Sequence, residues 1–474
     1  MLRRPDIPVL LVLSVLVCAA TVHANPRVEP APGQAAASPF DLRVVQLPGP
    51  LDRADLEQHL AYLSALDFNA VWVQAHQIAA NPLGDPPEFN PAAQILAKAC
   101  AERGMRVIVS VAPAVLVTER HAFSDDVVIE GLRRFARHLR RELRVSDLVL
   151  SFEDAPPKLT EIRDVLAYGR NAAAAHVDLA ARLRSGLGRR TRLWFQPAGL
   201  FTGPLPSSVG LIWQGSGAPA RRVEAAEFDR LRVATGKRPT LLRDRYPANQ
   251  AGPRMPLSHN LGPLRDRDAG LASRLTGHVS VAMEDWGASR LTLATAAEWL
   301  RDPARYQAKP AWEKAMKALA GDNVEALEAL RTQALEWGGP IGGLNHHTAW
   351  TDNPAEAGGV LRDPALAARW KWTLTRYPDR MAAISGLADE PFRIELLEVM
   401  ARRLAIARAI PTTREILARQ SAGRSDLAGL IAELNRLRGG TTPRSARQAL
   451  ERFLAVAGLL AMLDRAEDSP ARQD

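Results

Sequence analysis

Two adjacent carboxylates, Glu153 and Asp154, follow a short apolar run in the segment VSDLVLSFEDAPPK. The run at 148–150 is typical of a strand buried on both faces, as in a parallel sheet, and the prolines at 156–157 end regular structure. Side chains alternate along a strand, so neighbouring carboxylates can share one pocket only where the strand breaks. Such a pair could supply a general acid and a second charged group. An exposed acidic turn, or the N-cap of the next helix, is the alternative interpretation.

The order of elements predicts where that pair lies. From Phe40 onward, short apolar runs alternate with amphipathic segments, and one long helix is expected over residues 159–187. About eight strand–helix units over roughly 270 residues predict an α/β fold, a (β/α)8 barrel of the TIM type. The active site of such a barrel lies at the C-terminal ends of its strands. A doubly wound open sheet is the alternative, but no Gly-rich phosphate loop follows the first strand.

The composition of the sequence divides the chain into four predicted regions. Residues 1–24 are predicted to be a secretory signal peptide, with early arginines, an apolar stretch and the cleavage site Val22-His23-Ala24. Residues 25–39 form a Pro/Ala linker, 40–308 the barrel, and 309–474 a helical bundle domain. Lipidation at Cys18 is the alternative to cleavage, although Val17 stands where a small residue is expected. The protein is therefore expected to be exported, periplasmic or secreted, without an integral membrane span after cleavage.

The formal net charge of +9 raises the question of an anionic partner. The arginines are scattered over many helices and are not interleaved with aromatic residues, so nucleic acid is not predicted as a partner. The pair His346-His347 could bind a metal, but no cysteine or other partner at ligand spacing accompanies it. Neither a metal nor another cofactor is predicted.

Several segments, in order, resemble glycoside hydrolase family 84, the β-N-acetylglucosaminidase family that includes hyaluronidase-type enzymes and O-GlcNAcases. The resemblance covers residues 42–316 and rests on an ordered set of strand ends and helices, LSFEDAP, AHVDLAARL, LWFQPAGL, GLIWQGSG, LLRDRYPANQ, NLGPLRDRDAGL and ASRLTLATAAEWLRDPARYQAKPAWEKAM. It implies a carbohydrate substrate and substrate-assisted, retaining hydrolysis, in which the 2-acetamido oxygen attacks the anomeric carbon. By position, Glu153 would orient the acetamido group and Asp154 would be the general acid/base. The substrate-binding residues that the resemblance implies are Trp213, Asp244, Arg245, Tyr246 and Asn249.

Trp213, Asp244 and Tyr246 are expected to share one cleft with the carboxylate pair, although Asp244, Tyr246 and Asn249 could instead be structural. Arg243 stands where the family has Trp, and Arg245 stands where it has an Asn that holds the sugar. Two arginines would suit a substrate that carries a carboxylate or phosphate, since guanidinium binds such groups bidentately. The alternatives to an active glycosidase are a catalytically degenerate barrel that binds glycan or a partner protein, and a structural protein of the cell envelope.

Overall fold

A computed structural model describes most of the chain from Ser38 onward. The described residues are 38–51, 54–82, 84, 86–113, 122–153, 155, 158–199, 204–215, 220, 222–247, 260–336, 364–441, 444–456 and 459. These described residues belong to one compact unit, and the signal peptide and most of the linker predicted from the sequence lie outside them. No helix in these described ranges is long and apolar enough to cross a membrane.

Eight parallel strands close into a barrel in the order in which they occur in the chain. This confirms the predicted (β/α)8 architecture and excludes the open sheet, because β8 pairs with β1. The strands are β1 Leu42–Gln46, β2 Ala70–Gln74, β3 Arg106–Val111, β4 Asp147–Ser151, β5 Arg192–Gln196, β6 Val209–Trp213, β7 Thr240–Pro247 and β8 Gly277–Val281.

Alternate residues of each strand point into the barrel, which fixes what lies at its centre and at its ends. Large apolar side chains fill the central layer, among them Trp72, Trp194 and Leu241. Gly210 leaves room for the Trp194 ring, which a Cβ at that position would meet at 2.3 Å. At the N-terminal end, Asp147 accepts hydrogen bonds from Trp194 Nε1 at 3.0 Å and from Arg192 Nε at 2.8 Å. The barrel is therefore a packed core that leaves its C-terminal end for a site.

Helices surround the strands and then continue as a helical region. They are α1 Leu56–Ala65, α2 Ala75–Ile78, α3 Pro91–Glu102, α4 Asp126–Glu142, α5 Ile162–Tyr168, α6 Ala172–Gly186, α7 Ala225–Thr235, α8 Arg290–Arg301, α9 Ala308–Ala320, α10 Val324–Glu336, α11 Pro364–Ile384, α12 Glu390–Ser421, α13 Ala428–Gly440 and α14 Arg444–Val456, with a short 3-10 helix at Ala269–Ser273. The boundary between barrel and bundle domain at residue 308 stays a prediction.

The single helix expected over residues 159–187 is wrong. The structure has two helices there, α5 and α6, because Gly169 adopts a φ of +63° and ends the first one. The second begins after Asn171, whose side chain accepts a hydrogen bond from the backbone N–H of Ala174 at 3.2 Å. A glycine in the left-handed region followed by an asparagine cap is a stop-and-start signal that outweighs the continuous helical pattern.

The helical region packs against the barrel through both apolar and charged contacts. One apolar cluster joins Leu291 of α8 to Phe392 and Leu396 of α12. The carboxylate of Asp389, at the start of α12, accepts a hydrogen bond from Arg290 at 2.6 Å, and that guanidinium lies over the Tyr62 ring of α1. These contacts tie the helices after β8 to the scaffold that carries the barrel mouth.

Candidate active site

Glu153 lies at the C-terminal mouth of the barrel, two residues after β4 ends at Ser151. The interior positions of β4 are Asp147, Val149 and Ser151, and Glu153 continues this alternation beyond the strand. Phe152 points the other way, toward the helices, and stacks on His176 with ring centroids 3.9 Å apart. Burial among these rings lowers the pKa of His176 to about 4. The buried Phe152 thus anchors the strand end that presents Glu153.

Three side chains contact the Glu153 carboxylate. Oε1 accepts a hydrogen bond from Arg243 Nη1 at 2.9 Å and forms an ion pair with Arg245 Nη2 at 2.9 Å. Oε2 accepts from Arg243 Nη1 at 2.8 Å and from Gln196 Nε2 at 3.1 Å. A carboxylate offers about four acceptor positions, two on each oxygen. Each oxygen of Glu153 therefore has two nitrogen contacts from within the protein.

Arg243 is the most deeply placed member of this group. Its side chain is 3% exposed, its Nε donates to Gln46 Oε1 at 2.7 Å, and its guanidinium lies over the Trp72 ring at 5.7 Å. Gln196, at the end of β5, is equally buried and accepts a hydrogen bond from Ser151 Oγ at 3.2 Å. Side chains from β1, β4, β5 and β7 thus form one connected polar network at the mouth.

Arg245 differs from Arg243 in its environment. It is the next inward-facing residue along β7, one layer nearer to solvent, and its side chain is 27% exposed. Its Nη2 forms an ion pair with Glu153. Glu153 therefore supplies, from within the protein, the carboxylate that both arginines were expected to find on a substrate.

Three of the predicted substrate-binding residues do not face this mouth. Trp213, Asp244 and Tyr246 lie on the outward faces of β6 and β7, in the layer between strands and helices. Trp213 packs on Phe228 of α7, with ring centroids 5.4 Å apart. The expectation of one shared cleft is wrong for these three, because side chains alternate along a strand. Ile212 faces inward before Trp213 on β6, and Arg243 and Arg245 face inward on either side of Asp244 on β7.

Asp244 and Tyr246 have the contacts of structural residues, the alternative left open by their sequence. Asp244 is buried against Arg267, whose Nε and Nη2 donate to its two oxygens at 2.6 and 2.8 Å. Burial alone would raise the pKa of Asp244, but the Arg267 charge and the hydrogen bonds from His278 and Arg267 hold it well below its usual value. The Tyr246 hydroxyl donates to the carbonyl oxygen of Gly262, and burial raises its pKa well above the ordinary range.

Two residues of the network, Gln46 and Gln196, were not predicted from the sequence. A usable signal exists, because three strands end in an apolar residue and a glutamine, in LRVVQ, AVWVQ and RLWFQ, and a glutamine directly follows β6 in GLIWQ. Glutamine at the last inward position of a buried strand is an uncommon choice for a core and points to a polar mouth. Gln74 and Gln214 occupy the corresponding positions of β2 and β6 and are partly exposed.

Two other predicted site residues, Asp154 and Asn249, lie outside the described residues, as does the His346-His347 pair. Within the described ranges, no group of three or more His, Cys, Asp or Glu side chains is arranged to hold a metal ion. A cavity of about 620 Å³ opens beside the ends of β1 and β2, lined by residues that include Gly49, His76 and Asn90. It lies on the same end of the barrel as Glu153.

Comparisons with known proteins agree with this architecture. The chain matches the model of the family described as NAGidase, beta-N-acetylglucosaminidase, over residues 86–333, just over half of its length. A mutant O-GlcNAc hydrolase from Thermobaculum terrenum superposes with a TM-score of 0.61 at 18% identity, covering 90% of this chain and 97% of its own. The structure of CpGH84B gives 0.56 at 15% identity, covering 89% and 77%.

At these identities the two structures show the shared fold, and the family match carries the assignment. No curated protein sequence matches the chain significantly. The matched segment runs from before α3 to within α10 and so includes the strand that ends at Glu153. With the closed barrel and the ordered strand-end motifs, the match shows that the chain belongs to the β-N-acetylglucosaminidase family of glycoside hydrolases, family 84.

Proposed function

We propose that this protein is an exported glycoside hydrolase that cleaves a β-linked N-acetylhexosamine with retention of configuration. The observation that carries the proposal is the position of Glu153 at the C-terminal mouth of a family barrel, where the catalytic groups of such barrels lie. Asp154 follows it directly in the chain. The family supplies the substrate class, and the network around Glu153 supplies a fixed carboxylate at the place where chemistry would occur.

In the proposed reaction, the acetamido oxygen of the substrate attacks the anomeric carbon and the bond to the leaving oxygen breaks. Asp154 donates its proton to that leaving oxygen, and Glu153 accepts a hydrogen bond from the acetamido N–H so that the carbonyl points at the anomeric carbon. The product of this step is an oxazolinium ion, whose N–H stays hydrogen-bonded to Glu153. Asp154 then takes a proton from the water that opens this ion at the anomeric carbon, which restores the acid and the acetamido group and retains the configuration.

Kinetics on two leaving groups test the role of Asp154. Asp154→Asn keeps the shape and removes the proton, and general acid catalysis contributes about a hundred- to ten-thousandfold. The variant should lose that much kcat/KM on a substrate with a poor leaving group and much less on an activated aryl glycoside. Wild-type activity of Asp154→Asn on the poor leaving group would remove Asp154 from this role.

Glu153→Gln is the matched comparison. An orienting carboxylate matters whatever the leaving group is, so both substrates should slow by similar factors. If both carboxylates only hold the turn, neither variant will show a loss that depends on the leaving group. Both variants will then mainly lower the melting temperature, which a melting curve for each one records.

Export is part of the proposal and rests on residues 1–24. Cleavage after Ala24 would leave Asn25 as the mature N-terminus. Sequencing the N-terminus of the protein from an envelope fraction tests this. Full-length protein in the cytoplasm, or a lipid on Cys18, would contradict it.

A glycan-binding barrel without turnover is the second candidate, and one observation favours it. Arg243, Arg245 and Gln196 contact both oxygens of Glu153, so that carboxylate is already paired within the protein. If folded, purified protein binds N-acetylhexosamine oligosaccharides in calorimetry but hydrolyses no aryl β-glycoside, the binding function replaces the hydrolase.

A further inference from the structure

We infer that Arg245 occupies the place of the substrate's acetamido N–H on Glu153 and must leave it for substrate to bind. The inference rests on the proposed function, because it assumes that Glu153 orients an acetamido group. It assigns to Arg245 a specificity-determining role, competition for Glu153, that differs from the sugar-binding role of the family position.

Both oxygens of Glu153 already have two close nitrogen contacts. Oε2 accepts hydrogen bonds from Arg243 and Gln196 at 2.8 and 3.1 Å, and Oε1 accepts one from Arg243 at 2.9 Å and lies 2.9 Å from Arg245 Nη2 in an ion pair. A carboxylate oxygen offers about two acceptor positions, so an additional N–H can reach Oε1 only where Arg245 Nη2 now lies. An incoming acetamide must therefore displace one of these contacts.

The three side chains that contact Glu153 differ in how easily they can move. Arg243 is 3% exposed, lies over Trp72 and is held by Gln46, and Gln196 is 1% exposed. Displacing either would leave a buried polar group without its partner, which is costly. Arg245 is 27% exposed, and its guanidinium can exchange the Glu153 carboxylate for water. Arg245, the contact nearest to solvent, is therefore the replaceable one, and its Nη2 contacts Oε1 of Glu153.

The displacement of Arg245 has a consequence for selectivity. Glucose offers Glu153 only its 2-hydroxyl, whose O–H rotates freely, whereas the planar amide of an acetamido group holds its N–H in one direction. An N-acetylated sugar replaces the lost ion pair with a hydrogen bond to the same oxygen. Competition by Arg245 therefore lowers the affinity for every ligand that needs Glu153, and removing Arg245 should favour the acetamido ligand selectively.

The experiment compares the full-length protein with Arg245→Met, which keeps much of the apolar stem and removes the donors. Affinities for N-acetylglucosamine and for glucose are measured by calorimetry, with kcat and KM for an aryl N-acetylglucosaminide in parallel. Exposed ion pairs contribute little, so Arg245→Met should bind N-acetylglucosamine about two- to fivefold more tightly. The ratio of its affinities for N-acetylglucosamine and glucose should rise by the same factor.

Two matched variants complete the design. Arg222→Met breaks an exposed ion pair with Glu224 and should leave both affinities unchanged. Arg243→Met removes the buried support of Glu153 and should weaken N-acetylglucosamine binding by about tenfold or more. A melting curve for each variant separates misfolding from lost binding.

Weaker or unchanged N-acetylglucosamine binding by Arg245→Met would overturn the inference, even if the wild-type protein is an active hydrolase. Tighter binding without turnover in any variant would support the role of Arg245 and contradict hydrolysis. If none of the folded variants binds N-acetylglucosamine, both the inference and the proposed substrate are contradicted.

Discussion

The buried pair Asp244–Arg267 allows a sharp test of the structural role assigned to Asp244. The Asp244→Asn substitution keeps the side-chain shape and removes the negative charge. Both side chains of the pair are 1% exposed, and Asp244 also faces His278 at 3.4 Å. The substitution would leave the Arg267 guanidinium charged and buried without the carboxylate that its Nε and Nη2 contact.

The expected cost follows from that burial. Removing one partner of a buried, hydrogen-bonded ion pair typically lowers the free energy of unfolding by about 3–5 kcal/mol. Domains have a total stability of only about 5–15 kcal/mol, so this is a large effect. Asp229→Asn is the matched control, because Asp229 pairs with Arg274 at 3.0 Å with side chains 47% and 31% exposed. Such an exposed pair contributes at most about 1 kcal/mol.

Urea unfolding followed by circular dichroism measures both variants beside the wild-type protein, and KM is measured for each on an aryl N-acetylglucosaminide. Asp244→Asn should lose stability while its folded fraction keeps the wild-type KM, because Asp244 faces away from the mouth. Equal, small losses in the two variants would refute the buried-pair reasoning. A raised KM with unchanged stability would show that Asp244 contacts the substrate.

Three further predictions concern stability and reactivity. The folded-state pKa of Asp244 lies below its unfolded value, so its stabilisation is complete above about pH 5 and is lost as the pH falls further. The melting temperature should therefore drop less steeply below that pH in Asp244→Asn. Gly277→Ala should lower the free energy of unfolding by about 1–3 kcal/mol or more, since a Cβ would lie 2.3 Å from the Leu42 carbonyl oxygen. Gly439→Ala is the control and should not destabilise the protein, because a Cβ there would have nothing within 4 Å. Equal urea midpoints for the two variants would contradict the close packing at Gly277. Burial raises the pKa of the Cys100 thiol to about 12, so Cys100 should resist a maleimide at pH 8 until the protein is unfolded. Rapid labelling of Cys100 in the folded protein, located by peptide mapping, would contradict its burial.

The barrel was predictable from the sequence because its strands are short apolar runs separated by helical segments of sufficient length. The mouth was predictable at Glu153, where a buried strand meets a pair of prolines. The path of β7 was not, because a polar segment such as 243–246 is more typical of a loop than of a strand buried on both faces. In the structure, Arg243 and Arg245 face inward on this strand, and Asp244 and Tyr246 face outward.

The pairing of Glu153 with Arg243 could not be read from the sequence for a different reason. The two residues are 90 positions apart, and they meet only because the barrel closes and brings β4 and β7 to opposite sides of one mouth. Local patterns give the direction of a side chain along its strand but not its partner across the barrel. The repeated glutamine at strand ends was visible, yet its meaning depended on that same closure.

Hydrolysis of a series of aryl N-acetylglucosaminides with increasing fluorination of the acetyl group tests the central proposal most directly. Fluorine withdraws electrons from the acetamido oxygen and weakens it as a nucleophile, whereas an enzyme that used its own nucleophile would be little affected. We expect kcat/KM to fall steeply and progressively from acetyl to fluoroacetyl to difluoroacetyl. A rate that does not change across the series, or folded protein that hydrolyses none of its members, would contradict substrate-assisted hydrolysis by this barrel.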